Sequence, residues 1–285
     1  MEVLIEESTA FTLALVGLFT GITAGFFGIG GGEIVVPSAI FAHFSYSHAV
    51  GISLMQMLFS SVVGSIINYK KGLLDLKEGS FAAFGGLVGA VLGSLILKII
   101  DDKILMAVFV VVVCYTFIKY AFSSSKKTPE HFEEAHFSIH VNEDISQTLE
   151  KKPTLPFLHI DKRHGILMLA GFVTGIFSIP LGMGGGILMV PFLGYFLKYD
   201  SKKIVPLGLF FVVFASLSGV ISLYHGGVLN DTTIQAGVIT GIGAFLGVGI
   251  GIKLIALANE KVHKVLLLLI YALSILATLH KLIMG

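Results

Sequence analysis

The chain interrupts its apolar sequence twice with the same glycine-rich phrase, once in each half. Gly28-Ile29-Gly30-Gly31-Gly32-Glu33-Ile34-Val35-Val36-Pro37 returns as Gly182-Met183-Gly184-Gly185-Gly186-Ile187-Leu188-Met189-Val190-Pro191, with glycines and proline in register. A break of this kind frees backbone N–H and C=O groups that lipid cannot satisfy, so it must be buried in protein or line an aqueous cavity. Paired Gly/Pro interruptions at matching positions of two halves point to the binding site of a secondary transporter.

Composition sets the solvent for these breaks. Hydrophobic residues make up 55% of the chain and charged residues 13%, with a mean hydropathy of +0.91, against about 25% charge in soluble domains. The reading is an all-α polytopic membrane protein in a lipid bilayer, with no nucleic acid among its partners. The first apolar run follows Glu2, Glu6 and Glu7 without a basic n-region or cleavage site, so it reads as a membrane helix rather than a removed signal peptide. The single cysteine, Cys114, lies within an apolar run and offers neither a disulfide framework nor a thiolate metal cluster.

The apolar runs come in the same order twice. The first half has Thr9 to Phe27, a short piece from Glu33 to about His43, then Tyr46 to Tyr69, Gly79 to Ile100 and Lys103 to Phe122. The second has Gly165 to Leu181, a short piece from Ile187 to about Leu197, then Ile204 to Tyr224, Thr233 to Leu257 and Val262 to Leu282. The short pieces are too brief for a hydrocarbon core of about 30 Å. Each half is therefore expected to be a broken helical hairpin followed by three transmembrane helices. The expected division is a first repeat over 1–122, a polar cytoplasmic linker over 123–164 and a second repeat over 165–285. Matching Gly17 with Gly171, Thr20-Gly21 with Thr174-Gly175, Gly64 with Gly219 and Gly72 with Gly227 extends the repeat beyond the breaks. Gly85, Gly89 and Gly93, like Gly243, Gly247 and Gly251, recur every fourth residue and read as packing glycines.

Loop charge predicts that the repeat is inverted, since Lys and Arg favour the cytoplasmic side. Lys70, Lys71 and Lys77 occupy a loop whose counterpart, His225 to Asp231, has no Lys or Arg. One loop earlier the bias reverses, with Lys198, Lys202 and Lys203 matching an uncharged stretch from His43 to Ser47. With both termini outside, only Lys98, Lys103 and Lys281 of the 19 basic residues fall outside. The linker carries His131, His136, His140, His159 and His164 with Glu133, Glu134 and Asp144, at spacings that fit no metal-ligand signature. No metal and no cofactor are expected.

The glycine clusters carry the expected chemistry. Backbone amides freed by Gly28, Gly30, Gly31 and Gly32, and by Gly182, Gly184, Gly185 and Gly186, can converge on an anion, helped by the positive ends of the short helices that follow. The alternative is that these glycines merely permit a tight hairpin. A nucleotide loop is excluded, because no Lys-Ser/Thr follows and position 33 is Glu where a dinucleotide fingerprint needs Gly. Glu33 has Ile187 as its repeat partner, so symmetry does not demand it. A charged, unpaired acid in the bilayer costs about 3 kcal/mol, which makes Glu33 either the carrier of a coupling proton or a dipole partner in its own first turn. From Tyr46 to Tyr69, Ser53, Gln56, Ser60, Gly64 and Asn68 share one helical face. Ser53, Gln56 and Asn68 are candidate substrate-binding residues there, with interhelical bonding as the alternative. Phe210 and Leu223 stand where the first half has Gln56 and Asn68, and His48 reads as interfacial.

The duplicated Gly-x-Gly-Gly-Gly-x-x-x-Val-Pro pattern, preceded each time by Thr-Gly at Thr20-Gly21 and Thr174-Gly175, resembles the sulfite exporter TauE/SafE family of bacterial membrane permeases. Ser178-Ile179-Pro180-Leu181 departs from Ala24-Gly25-Phe26-Phe27 of the first copy. The resemblance implies movement of small sulfur-containing anions, sulfite or organosulfonates, across the plasma membrane, coupled to an ion gradient. A proton is the candidate coupling ion, and the oligomeric state stays open, a homodimer included. An enzyme is not expected, since no Ser/His/Asp set, His-Glu-x-x-His motif or paired intramembrane carboxylates occur. A passive anion channel is the nearer competitor.

Overall fold

The computed structural model describes residues 7–27, 30–122, 162–199, 201–254 and 260–284, and within these it is built of helices alone. The first half contains α1 (Glu7–Phe27), α2 (Gly32–Phe41), α3 (Tyr46–Lys70), α4 (Leu76–Ile99) and α5 (Asp102–Phe122). The second contains α6 (Lys162–Leu181), α7 (Gly186–Phe196), α8 (Ser201–His225), α9 (Asp231–Leu254) and α10 (Glu260–Met284). The sequence of one long helix, one short helix and three long helices is thus repeated. Seven of the helices are long and apolar enough to cross a membrane, whereas α2 has 10 residues.

Local chemistry repeats as well. Asp75 caps α4 by accepting from the backbone N–H groups of Lys77 and Glu78 at 2.9 and 3.2 Å. At the matching place Asn230 accepts from Thr233 N at 2.8 Å and from the Thr233 hydroxyl at 2.7 Å. Short polar side chains hold such positions because they satisfy amides that lack intrahelical partners. The ends of α3 and α8 close with the same pair of bonds, Gly72 N to Tyr69 O with Leu73 N to Asn68 O, and Gly227 N to Tyr224 O with Val228 N to Leu223 O.

These caps move some helix starts ahead of the apolar runs. The run beginning at Gly79 belongs to a helix that starts at Leu76, and the run from Thr233 to one that starts at Asp231. Polar first turns add helix without adding hydropathy.

The interior is made by reciprocal packing. α1 lies along α9 and α4 along α6, while α3 meets α9, α4 meets α8, and α3 meets α8. Exchanging the halves maps this set of contacts onto itself. The predicted packing glycines make the two closest pairs. A Cβ on Gly85 would lie 2.0 Å from the Met168 carbonyl oxygen and one on Gly89 2.2 Å from that of Phe172. Likewise a Cβ on Gly247 or Gly251 would lie 2.2 or 2.0 Å from the carbonyl oxygen of Leu18 or Ile22. Any side chain there would force the backbones apart. Exposed apolar stripes such as Phe11, Leu15 and Phe19 on α1, and Leu269, Leu273 and Leu276 on α10, face outward as lipid contact requires.

Candidate functional site

The two glycine breaks meet inside the bundle. A Cβ on Gly30 would come within 2.9 Å of Gly184 Cα, and one on Gly32 within 1.9 Å of the Gly182 carbonyl oxygen. That carbonyl accepts a 2.8 Å hydrogen bond from the Ser53 hydroxyl, so α3 is tied to the second break. Of the predicted site residues, Gly30, Gly31, Gly32, Gly182, Gly184, Gly185, Gly186, Ser53 and Gln56 gather at this meeting point. Gly28 lies outside the described residues, as do the linker histidines other than His164, which in the first turn of α6 stacks on Phe81 of α4 at 4.3 Å. Asn68 is not at the breaks: it lies about 18 Å farther along α3 than Gln56 and is half-buried.

The breaks use different backbones. Gly30 and Gly31 take φ of 100° and 89°, the second of them preceding α2 directly. Residues with a Cβ rarely enter this region. In the second copy Gly182 takes φ of 61° and closes α6, its N–H bonding Ile179 O while Met183 N bonds Ser178 O. Gly185, which precedes α7, has an ordinary helical φ of −58°. Space rather than torsion constrains it, since its Cβ would fall 2.1 Å from the Phe211 ring.

The side chains around the two breaks also differ. The Gln56 amide nitrogen is 3.4 Å from where a Gly31 Cβ would lie, and it donates to Ser60 Oγ at 3.5 Å while its carbonyl oxygen is buried without a partner among the described residues. The residue in the corresponding place is Phe211, not Phe210. The extra residue between the breaks and the following helices shifts the match by one, and Phe211 is the fully buried member of the pair. Glu33, in the first turn of α2, is 1% exposed, and neither carboxylate oxygen has a hydrogen-bond partner among the described residues. Thr174 and Ser178 are likewise buried with unpartnered hydroxyls. The sequence reading passed over them as site residues, although their spacing of one turn on α6 just before the break marks one face. The arrangement places the backbone at the starts of two short helices, the Gln56 amide, the Glu33 carboxyl and several hydroxyls in a buried interior.

A second polar cluster lies at the start of α4. Glu78, buried at 5% exposure, pairs with Arg163 of α6 and Lys203 of α8, each at 3.0 Å, and accepts from the Tyr199 hydroxyl at 2.9 Å. Arg163 Nε also donates to that hydroxyl, and both cations lie over the Tyr199 ring, at 5.0 and 4.2 Å from its centre. Burial raises the Tyr199 phenol above its ordinary pKa, so it remains a donor to Glu78. The matching position in the other half is Thr233, and the matching cap Asn230 is neutral. Sequence reading missed this cluster because its members come from three separate stretches of chain.

A family model described as sulfite exporter TauE/SafE matches residues 13–278. A probable membrane transporter protein of Bacillus subtilis, YunE, is 24% identical over 232 residues, covering 76% of this chain and 79% of its own. A probable membrane transporter protein of Methanocaldococcus jannaschii is 29% identical over 217 residues, covering 74% and 70%. A third, ORF9 of Sinorhizobium sp, is 25% identical over 271 residues, covering 91% and 87%. No solved structure matches the chain closely enough to carry an argument.

Proposed function

The chain belongs to the sulfite exporter TauE/SafE family, and from that premise we propose that it exports small sulfur-containing anions, sulfite or organosulfonates, by proton-coupled alternating access. It is a multi-pass membrane transporter, and the membrane in this reading is the bacterial plasma membrane. The observation that carries the proposal is the contact between the two glycine breaks beside Ser53 and Gln56. Freed amides and the N-terminal ends of α2 and α7 supply positive potential there without a buried cation. An anion site of this kind binds by geometry rather than by a full countercharge, which leaves release cheap. Glu33 is the proton carrier in this reading. Protonated, it is compatible with a nearby anion; ionised, it repels one, so loading and unloading of the two are linked.

The two repeats, 1–122 and 165–285, are inverted, with both termini outside and the linker of 123–164 in the cytoplasm. Loop charge and the reciprocal helix contacts support this arrangement. In a Cys114→Ala background, a cysteine at Asp75 should react with a membrane-impermeant thiol reagent from the cytoplasm and one at Asp231 from outside. The same sidedness for both would overturn the inversion.

Counterflow in proteoliposomes tests the transport mechanism. Unlabelled sulfite on the far side should accelerate entry of labelled sulfite, and an imposed proton gradient should drive accumulation. A current that does not saturate and shows no trans-acceleration would make the protein a channel.

A further inference from the structure

One cavity lies away from the glycine breaks. A crevice of about 450 Å³ opens between α4 and α8, with Leu87, Val91, Leu217 and Ile221 along its depth and Lys98 and His225 at its end. The polar groups within the crevice are already satisfied. Ser218 donates to Leu87 O at 3.0 Å, and Ser94 and Ser222 bond to each other. What remains is an apolar wall, with Val91 and Ile221 43% and 50% exposed, capped by cationic or titratable side chains.

Lys98 occupies a built position. Gly226 has no side chain, and a Cβ there would lie 1.8 Å from the ammonium, so the glycine leaves the room that Lys98 fills. One ammonium donor reaches the Ser222 carbonyl at 3.3 Å, and the others remain for a ligand. The ion pairs among the described residues are both made by Glu78, so no carboxylate neutralises Lys98 there. His225 beside it donates its Nδ1–H to the Ile221 carbonyl at 2.9 Å. From Leu87 to Lys98 the helix rises about 16 Å, close to half of a hydrocarbon core of about 30 Å. The crevice is thus one leaflet deep, greasy below and cationic at the headgroup level.

We propose that this crevice is a binding site for a phospholipid with an anionic headgroup, its phosphate on Lys98 and one acyl chain along Leu87, Val91, Leu217 and Ile221. A free anion would use Lys98 alone; the apolar wall argues for the lipid. Lys98 also sits at the carbonyl end of α8, where a cation favours the helix, so the test needs a variant that leaves it in place.

Delipidated protein is exposed to mixed vesicles of phosphatidylglycerol and phosphatidylcholine, re-purified, and its retained lipid counted by native mass spectrometry. Wild type should retain phosphatidylglycerol in preference. Lys98→Gln should lower that preference roughly fivefold, as expected for one interfacial cation, and Lys98→Arg should keep it. Ile221→Trp, which fills the apolar part and leaves Lys98 untouched, should abolish retention. Equal retention of both lipids by wild type would overturn the proposal. So would unchanged retention in Ile221→Trp, or displacement of the lipid by inorganic phosphate at a concentration equal to that of lipid phosphate.

Discussion

The two glycine breaks share a sequence pattern and divide the work between them. The first is left-handed at Gly30 and Gly31, carries Glu33 and faces the amide of Gln56. The second keeps an ordinary backbone at Gly185, has Ile187 at the position of Glu33, and faces the Phe211 ring. The repeat supplies two sets of helix N-terminal amides, and only the first of them is lined by a carboxyl and an amide side chain. Under the proposed coupling of an anion to a proton one titrating wall suffices, and a second carboxylate would add desolvation cost and repulsion.

The widest break in this comparison comes from closing either glycine. Gly31→Val and Gly185→Val should both reduce proteoliposome sulfite flux to background while the protein still inserts, and normal flux in either would remove the amide-site reading. Their rescue should differ. Gly185→Ala combined with Phe211→Leu should regain part of the flux because the obstacle is a ring that can be trimmed. Gly31→Ala should gain nothing from trimming neighbours, since its obstacles are a left-handed φ and the Thr20 carbonyl 2.9 Å from the added Cβ.

Glu33→Gln should have the next largest effect, and a selective one. Counterflow should persist while accumulation driven by a proton gradient falls to the level reached without a gradient. Loss of both together would make Glu33 a structural residue or a substrate ligand rather than a proton carrier.

The smallest effects should come from the polar clusters at the ends of the bundle. Glu78→Gln leaves Arg163 and Lys203 facing each other across Tyr199 and should cost roughly 1–3 kcal/mol, the half-exposed cations limiting the loss. In thermal denaturation that is a fall of about 2–4 °C per kcal/mol. Thr233→Val, at the neutral counterpart, removes one hydrogen bond to the Asn230 cap and should cost about 1 kcal/mol or less. Equal shifts from the two would mean that the ion pairs add nothing beyond capping.

Much of the fold was legible because lipid punishes errors in patterning. The order of long and short helices, the breaks and the packing glycines can each be read from apolar run length and from Gly spacing, as Gly85 to Gly93 and Gly243 to Gly251 illustrate. Helix starts were less legible, since Leu76-Lys77-Glu78 is helical by virtue of the Asp75 cap and not by hydropathy. Contacts remote in sequence were not legible at all. Nothing in a linear pattern brings Arg163, Tyr199 and Lys203 to Glu78, whereas the register of Gly64 with Gly219 already puts Phe211 rather than Phe210 opposite Gln56. The isolation of Glu33 could be suspected from its lack of a repeat partner, but its unpartnered oxygens are a fact of packing.

Where Gly85, Gly89, Gly243 and Gly247 press on carbonyls of the neighbouring helix, no side chains remain to act as bearings. Sliding α4 past α6, or α1 past α9, would drive backbone into backbone. Each pair must therefore travel as one strut, and each strut takes one helix from either half of the chain. In the alternating access proposed above, the moving parts are then not the two repeats but two interleaved bodies, and the boundary between them cuts across the repeat.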